Sequence, residues 1–138
     1  MSRRIIIIIA SFVLVASAAA ILIAYFTGGI DRAMTSDMSA VGERYLRSFR
    51  REDYETILLL STPDFMKELG TGQNIQDSIN NNDLLPMDWN FTDRKIVGTQ
   101  GQMSGTVVFT RGRKGIVNLS LSKIGREWKV SGFLLEEK

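Results

Sequence analysis

Ile116-Val-Asn-Leu-Ser-Leu-Ser-Lys123 places Val117, Leu119 and Leu121 on one side of an extended chain and Asn118, Ser120 and Ser122 on the other. A period of two with one apolar side marks a strand whose sheet is covered on one face and wet on the other. The pattern extends in both directions. Trp89 to Val97, Met103 to Arg111 and Glu127 to Leu135 read as three further strands, separated by Gly98-Thr-Gln-Gly101, Gly112-Arg-Lys-Gly115 and Ile124-Gly-Arg126. Links this short join antiparallel neighbours, so the C-terminal part of the chain reads as a four-stranded meander.

A sheet with one apolar face needs cover, and the residues before it supply helices. Met34, Met38, Val41, Tyr45 and Phe49 fall at steps of three or four, which predicts a long amphipathic helix between Met34 and Arg51. Asp53 suits the cap of a shorter helix carrying Tyr54, Ile57, Leu58 and Leu60. Thr62-Pro63 opens a third, with Phe65, Met66 and Leu69 inside it and Gly70 closing it. Residues 71–88 are polar and asparagine-rich, and read as loosely ordered, with a weak helix around Ile75 to Ile79 and a boundary at Pro86.

Ahead of these elements lies an uncharged run, IIIIIASFVLVASAAAILIAYF, from Ile5 to Phe26. At about 1.5 Å per residue it reaches about 33 Å, enough to cross a hydrocarbon core. Ala16-Ser17-Ala18 resembles a leader cleavage site, but Ile21-Leu-Ile-Ala-Tyr-Phe continues the run beyond it, favouring a retained anchor. Arg3 and Arg4 precede the run, so the positive-inside rule places residues 1–4 in the cytoplasm and the C-terminal domain outside. The expected organisation is a cytoplasmic tip at 1–4, a transmembrane helix at 5–26, a linker at 27–37 and an extracytoplasmic α+β domain at 38–138. In a bacterium this is a single-pass inner-membrane protein with a periplasmic domain. Ala16, Ala20 and Ala24 recur every four residues and offer one helix face for close packing against another transmembrane helix.

Composition narrows the chemistry. Of 17 Lys/Arg, Arg3 and Arg4 account for the whole excess over 15 Asp/Glu, so the folded part is neutral and unlike a nucleic-acid binder driven by bulk charge. There is no cysteine and no histidine, which removes disulfides, thiolate nucleophiles, the commonest metal ligands and the commonest general base near neutral pH. No metal, cofactor or catalytic residue is assigned. Gly70-Thr-Gly72 has neither a preceding strand nor a following Lys-Ser/Thr, so it is no phosphate loop.

The order of a long helix, short helices and a meander ending in a Trp-Lys-Val strand resembles the nuclear-transport-factor-two-like superfamily, whose fold is cystatin-like and cone-shaped. The resembling stretches are Tyr45-Leu-Arg-Ser-Phe-Arg-Arg-Glu-Asp-Tyr54, Leu60-Ser-Thr-Pro-Asp-Phe65 and Gly125-Arg-Glu-Trp-Lys-Val-Ser-Gly132. A weaker resemblance is to membrane-tethered assembly factors of respiratory oxidases and translocases. The superfamily implies a sheet curled around the first helix, with a cone mouth used as ligand pocket, active site or docking surface. Tyr45, Phe49, Trp89, Phe91, Phe109 and Trp128 are then the expected lining. Enzymatic members use an aspartate base with tyrosine or acid donors, for which Asp88, Asp93, Tyr45 and Tyr54 are the stand-ins here, none in a matching motif. Separately, Arg111, Arg113 and Lys114 form a basic hairpin turn suited to an anionic contact.

These readings lead to a noncatalytic, membrane-tethered accessory protein whose outer domain docks on a partner protein or membrane complex. The alternatives are binding of an apolar or lipid-like ligand in the cone and, third, proton transfer. The sequence leaves the oligomeric state open.

Overall fold

The computed structural model describes residues 5–9 and 32–138, with side chains from Ser36 onward. Four helices precede the meander: α1 (Arg32–Arg50), α2 (Tyr54–Leu59), α3 (Pro63–Leu69) and α4 (Gly72–Asn82). The strands are β1 (Ile5–Ile9), β2 (Pro86–Val97), β3 (Gln100–Phe109), β4 (Lys114–Ile124) and β5 (Glu127–Glu137), all antiparallel in the order β1-β5-β4-β3-β2. The α+β class and the four-stranded meander are as expected. Lys114 rather than Ile116 opens β4, because Val108 and Val107 pair with Lys114 and Gly115.

Local chemistry fixes the helix ends. Asp53 caps α2 by accepting from the Thr56 N–H at 3.3 Å, and Thr62 caps α3 by accepting from the Phe65 N–H at 3.2 Å, with Pro63 in the first turn. The α1 helix starts at Arg32, five residues inside the stretch expected as linker at 27–37. The loosely ordered stretch is instead largely the regular helix α4. Thr71 caps it, Gln73 donates to Asp77 across one turn, Ile75 and Ile79 are both buried, and Asp83 ends it in the left-handed region at φ 54°. Two isoleucines four residues apart make one apolar contact stripe, which outweighs the poor helix propensity of asparagine.

Met38, Tyr45, Leu46 and Phe49 of α1 are fully buried on the sheet's covered face, against Met103, Val107, Val117, Leu119, Leu121 and Phe133. Close approach is possible at Gly42: a Cβ there would stand 2.5 Å from Met103 Sδ and 3.4 Å from Leu119. Register shifts at Phe91/Asp93 and Ser120/Leu121 mark bulges, which bend strands locally.

The outer edge of β5 is paired at Val130 and from Gly132 to Glu136. Near its start, Val130 N–H donates to Leu60 O at 2.7 Å and Thr62 N–H donates to Val130 O at 2.8 Å. Further along, Ile5–Ile9 pairs with Gly132 to Glu136 and lies against α3 and α4. Ile5–Ile9, the start of the run expected as a transmembrane helix at 5–26, is here an extended strand: a β-branched stretch has high strand propensity, and β5 presents an edge to it. Residues 10–26, including Ala16, Ala20 and Ala24, lie outside the described residues. Among the described residues no helix is long and apolar enough to cross a membrane.

Candidate functional site

The covered face of the sheet is packed with rings. Phe133 stands at its centre with centroids 6.1 Å from Tyr45, 5.2 Å from Phe49 and 5.8 Å from Phe65, each edge to face. Of the six expected pocket-lining residues, Tyr45, Phe49, Phe91 and Phe109 are buried in this core. The Tyr45 hydroxyl lies 3.1 Å from Ser61 Oγ, which in turn donates to Ile57 O at 2.7 Å. Burial pushes the Tyr45 phenol well above its ordinary range, so it stays neutral.

Trp89 closes the β2 side. Its indole N–H donates to Glu43 Oε2 at 2.6 Å, and the Arg50 guanidinium lies over its ring at 5.2 Å, so α1 grips it from two turns. Trp128 lines a surface groove. That groove, about 300 Å³, runs between α1, Leu60 and the start of β5, and its other walls include Asp37, Val41, Arg44, Arg126 and Lys129. Trp128 is 3% exposed and its buried indole nitrogen has no hydrogen-bond partner among the described residues. Lys129 is tied down, donating to Leu59 O at 2.8 Å and standing 3.6 Å from Glu127. Leu59 and Ile124, nearby in sequence to the groove's walls, are 67% and 48% exposed.

The stand-ins for catalysis do not converge. Asp88 and Asp93 are exposed, and the register sets Asp93 beside Ser104 on the face opposite the rings, in a shallow polar depression with Lys95 and Gln102. Tyr54 is buried, its hydroxyl without a hydrogen-bond partner among the described residues; burial, then the nearby Glu52 charge, raises its pKa. Asp53 is held below its ordinary value, chiefly by the Thr56 hydroxyl and then by the Thr56 N–H. Among the described residues no group of three or more acidic side chains is placed to hold a metal ion.

The basic turn splits into different roles. Arg113 donates to Glu137 Oε2 at 2.9 Å, bonds the Asp83 backbone oxygen, and stands 3.1 Å from Asp83 Oδ2. It therefore locks the end of α4 to the end of β5. Arg111, in the left-handed region at φ 66°, has an 81% exposed side chain 3.9 Å from Asp83, and Lys114 is exposed. Sequence reading missed the Arg113 clamp and the Trp89–Glu43 bond because their partners lie 24 to 46 residues away.

With this geometry, solved structures of the same shape can be compared. A cystatin-like-fold protein of unknown function from Nostoc punctiforme superposes with a TM-score of 0.57 at 14% identity, over 74% of this chain and 89% of its own. An NTF2-like protein from Cytophaga hutchinsonii gives 0.53 at 12%, over 75% and 96%. The fold is NTF2-like and cystatin-like. A SEC-C-motif protein from Rhodopseudomonas palustris also matches, at 0.53 and 14%, over 62% of this chain and 69% of its own. No family model and no curated protein matches the sequence. The NTF2-like fold hosts unrelated functions, so the site must carry any functional argument.

Proposed function

We propose that this chain is a noncatalytic accessory protein, a membrane-anchored NTF2-like domain that docks on a partner protein or membrane complex. In this reading residues 5–26 cross the inner membrane with the N-terminus in the cytoplasm, and the domain faces the periplasm. One observation carries the docking reading: the face that would form the cone pocket is filled by Tyr45, Phe49, Phe65 and Phe133, with the Tyr45 hydroxyl engaged by Ser61. A filled interior leaves the surface to act, and Leu59 and Ile124 are large apolar side chains in solvent. The uncharged run behind two arginines supports the tether.

The test is isolation of the full chain from membranes in mild detergent. A stoichiometric partner that is lost on Leu59→Asp or Ile124→Asp is the expected result. Recovery of the protein alone under several conditions overturns docking, and extraction by alkaline carbonate overturns the tether. In the same preparation Ala20→Ile reports whether the alanine face takes part.

A second reading has its own observation. The Trp128 indole N–H, without a hydrogen-bond partner among the described residues and at a groove that also presents Arg44 and Arg126, suits a small ligand with an acceptor and an anionic group. Quenching of Trp128 fluorescence on titration with small carboxylates, retained in Trp89→Phe, is the result that favours it.

A further inference from the structure

The outer edge of β5 is a built slot. Its floor is the backbone of Gly132 to Glu136, it begins where the Leu60–Thr62 segment stops pairing at Val130, and α3 and α4 lie along it. The buried residues of those two helices are Phe65, Leu69, Ile75 and Ile79, all apolar, and Phe65 meets Phe133 of β5 ring to ring. A sheet edge offers unpaired N–H and C=O groups, and the covered face, where the register sets positions 6 and 8 beside Leu135 and Phe133, favours uncharged apolar residues at those positions. The segment seated there is five consecutive isoleucines.

That seat and the bilayer compete for the same residues. With the run from Ile5 to Phe26 across the bilayer and residues 1–4 in the cytoplasm, Ile5–Ile9 form the cytoplasmic end of the span, about 33 Å of helix away from the outer face on which the β5 edge lies. A chain tethered over its full uncharged run therefore has an empty slot, and an empty slot exposes an apolar edge beside apolar helices. We propose that in the tethered protein the β5 edge accepts an extended, uncharged, β-branched strand from a partner polypeptide, added antiparallel in the place that Ile5–Ile9 takes when the run is outside the membrane. This rests on the tethered, docking reading above and names the surface that docks.

The chain has no native cysteine, so engineered pairs report directly. Ile7 and Leu134 are register partners. The full chain carrying Leu134→Cys, alone or with Ile7→Cys, is placed in phosphatidylethanolamine–phosphatidylglycerol vesicles and oxidised. The probe is a synthetic peptide of residues 5–9 with cysteine at position 7, blocked at both ends and extended by neutral serines for solubility. The expected result is no internal disulfide in the double variant and at least tenfold more peptide captured by Leu134→Cys than by a Thr106→Cys control. Protection of the Gly132 to Glu136 amides from hydrogen exchange, gained only when cysteine-free peptide is added to wild-type chain, is the second measurement. An internal disulfide in carbonate-resistant chain means the slot keeps its own strand, which overturns the proposal while sparing the tether. A disulfide between two copies makes the occupant a second copy and overturns it too. So does the absence of peptide capture and of gained protection. Loss of carbonate resistance overturns the tether, and with it the open slot.

Discussion

Phe133 is the residue on which the filled interior depends, and replacing it separates a packed core from a ligand cavity. Its ring makes three edge-to-face contacts, to Tyr45, Phe49 and Phe65, and is 2% exposed. Leucine keeps most of the apolar area but removes all three ring contacts, at about 0.5–1.5 kcal/mol each. Discounted for repacking, Phe133→Leu costs about 2 kcal/mol, and Phe133→Ala, which also opens a void, costs about 3–5 kcal/mol. In a domain of this size 2 kcal/mol lowers the Tm by roughly 10 °C. The assay is thermal unfolding of the full chain in detergent followed by near-ultraviolet circular dichroism, which reports the ring environment. If Phe133→Leu stays within about 0.5 kcal/mol of wild type, the ring lines a compliant cavity and the argument from a filled cone fails.

Three further outcomes follow from the same contacts. Thr62→Ala removes the α3 cap and lowers stability by about 1 kcal/mol in urea unfolding, with Thr62→Ser recovering most of it. The raised Tyr45 phenol means the unfolded chain ionises first, so this contribution is whole below the ordinary value of 10.0 and is lost as pH rises beyond it. Tyr45→Phe therefore flattens the alkaline limb of a stability–pH curve, and an unchanged limb refutes the assignment. Arg113→Met, one-fifth exposed and bonded to Asp83 and Glu137, costs about 1–2 kcal/mol, and in a double-mutant cycle with Glu137→Gln the two losses fall short of additive.

Much of the architecture was legible because it depends on neighbours in sequence. Alternation at Val117, Leu119 and Leu121 announced β4, steps of three and four from Met38 to Phe49 announced α1, and Asp53 and Thr62 signalled helix starts that the structure keeps. Helix α4 escaped because its apolar stripe is only Ile75 and Ile79, set among residues that favour turns. The strand at Ile5–Ile9 escaped for a different reason: an uncharged β-branched run scores alike as anchor and as strand, and only the edge of β5, more than 120 residues away, favours the second. At the site, Tyr45, Phe49, Phe91 and Phe109, expected as lining, are buried in the core, because sequence does not separate rings that fill a space from rings that border one. Trp128 lines a groove through a wall shared with Asp37, Arg44 and Leu60 that only the fold assembles.

The pairing of Val130 with Leu60 and Thr62 ties the helical half of the domain to its last strand across about seventy residues. On a ribosome or at a translocation pore, where residues emerge in order, the helices arrive first and wait with Phe49 and Phe65 uncovered until β5 is delivered. Such non-local closure is slow, and the interval is when the nascent domain is most open to aggregation or to a chaperone's grasp.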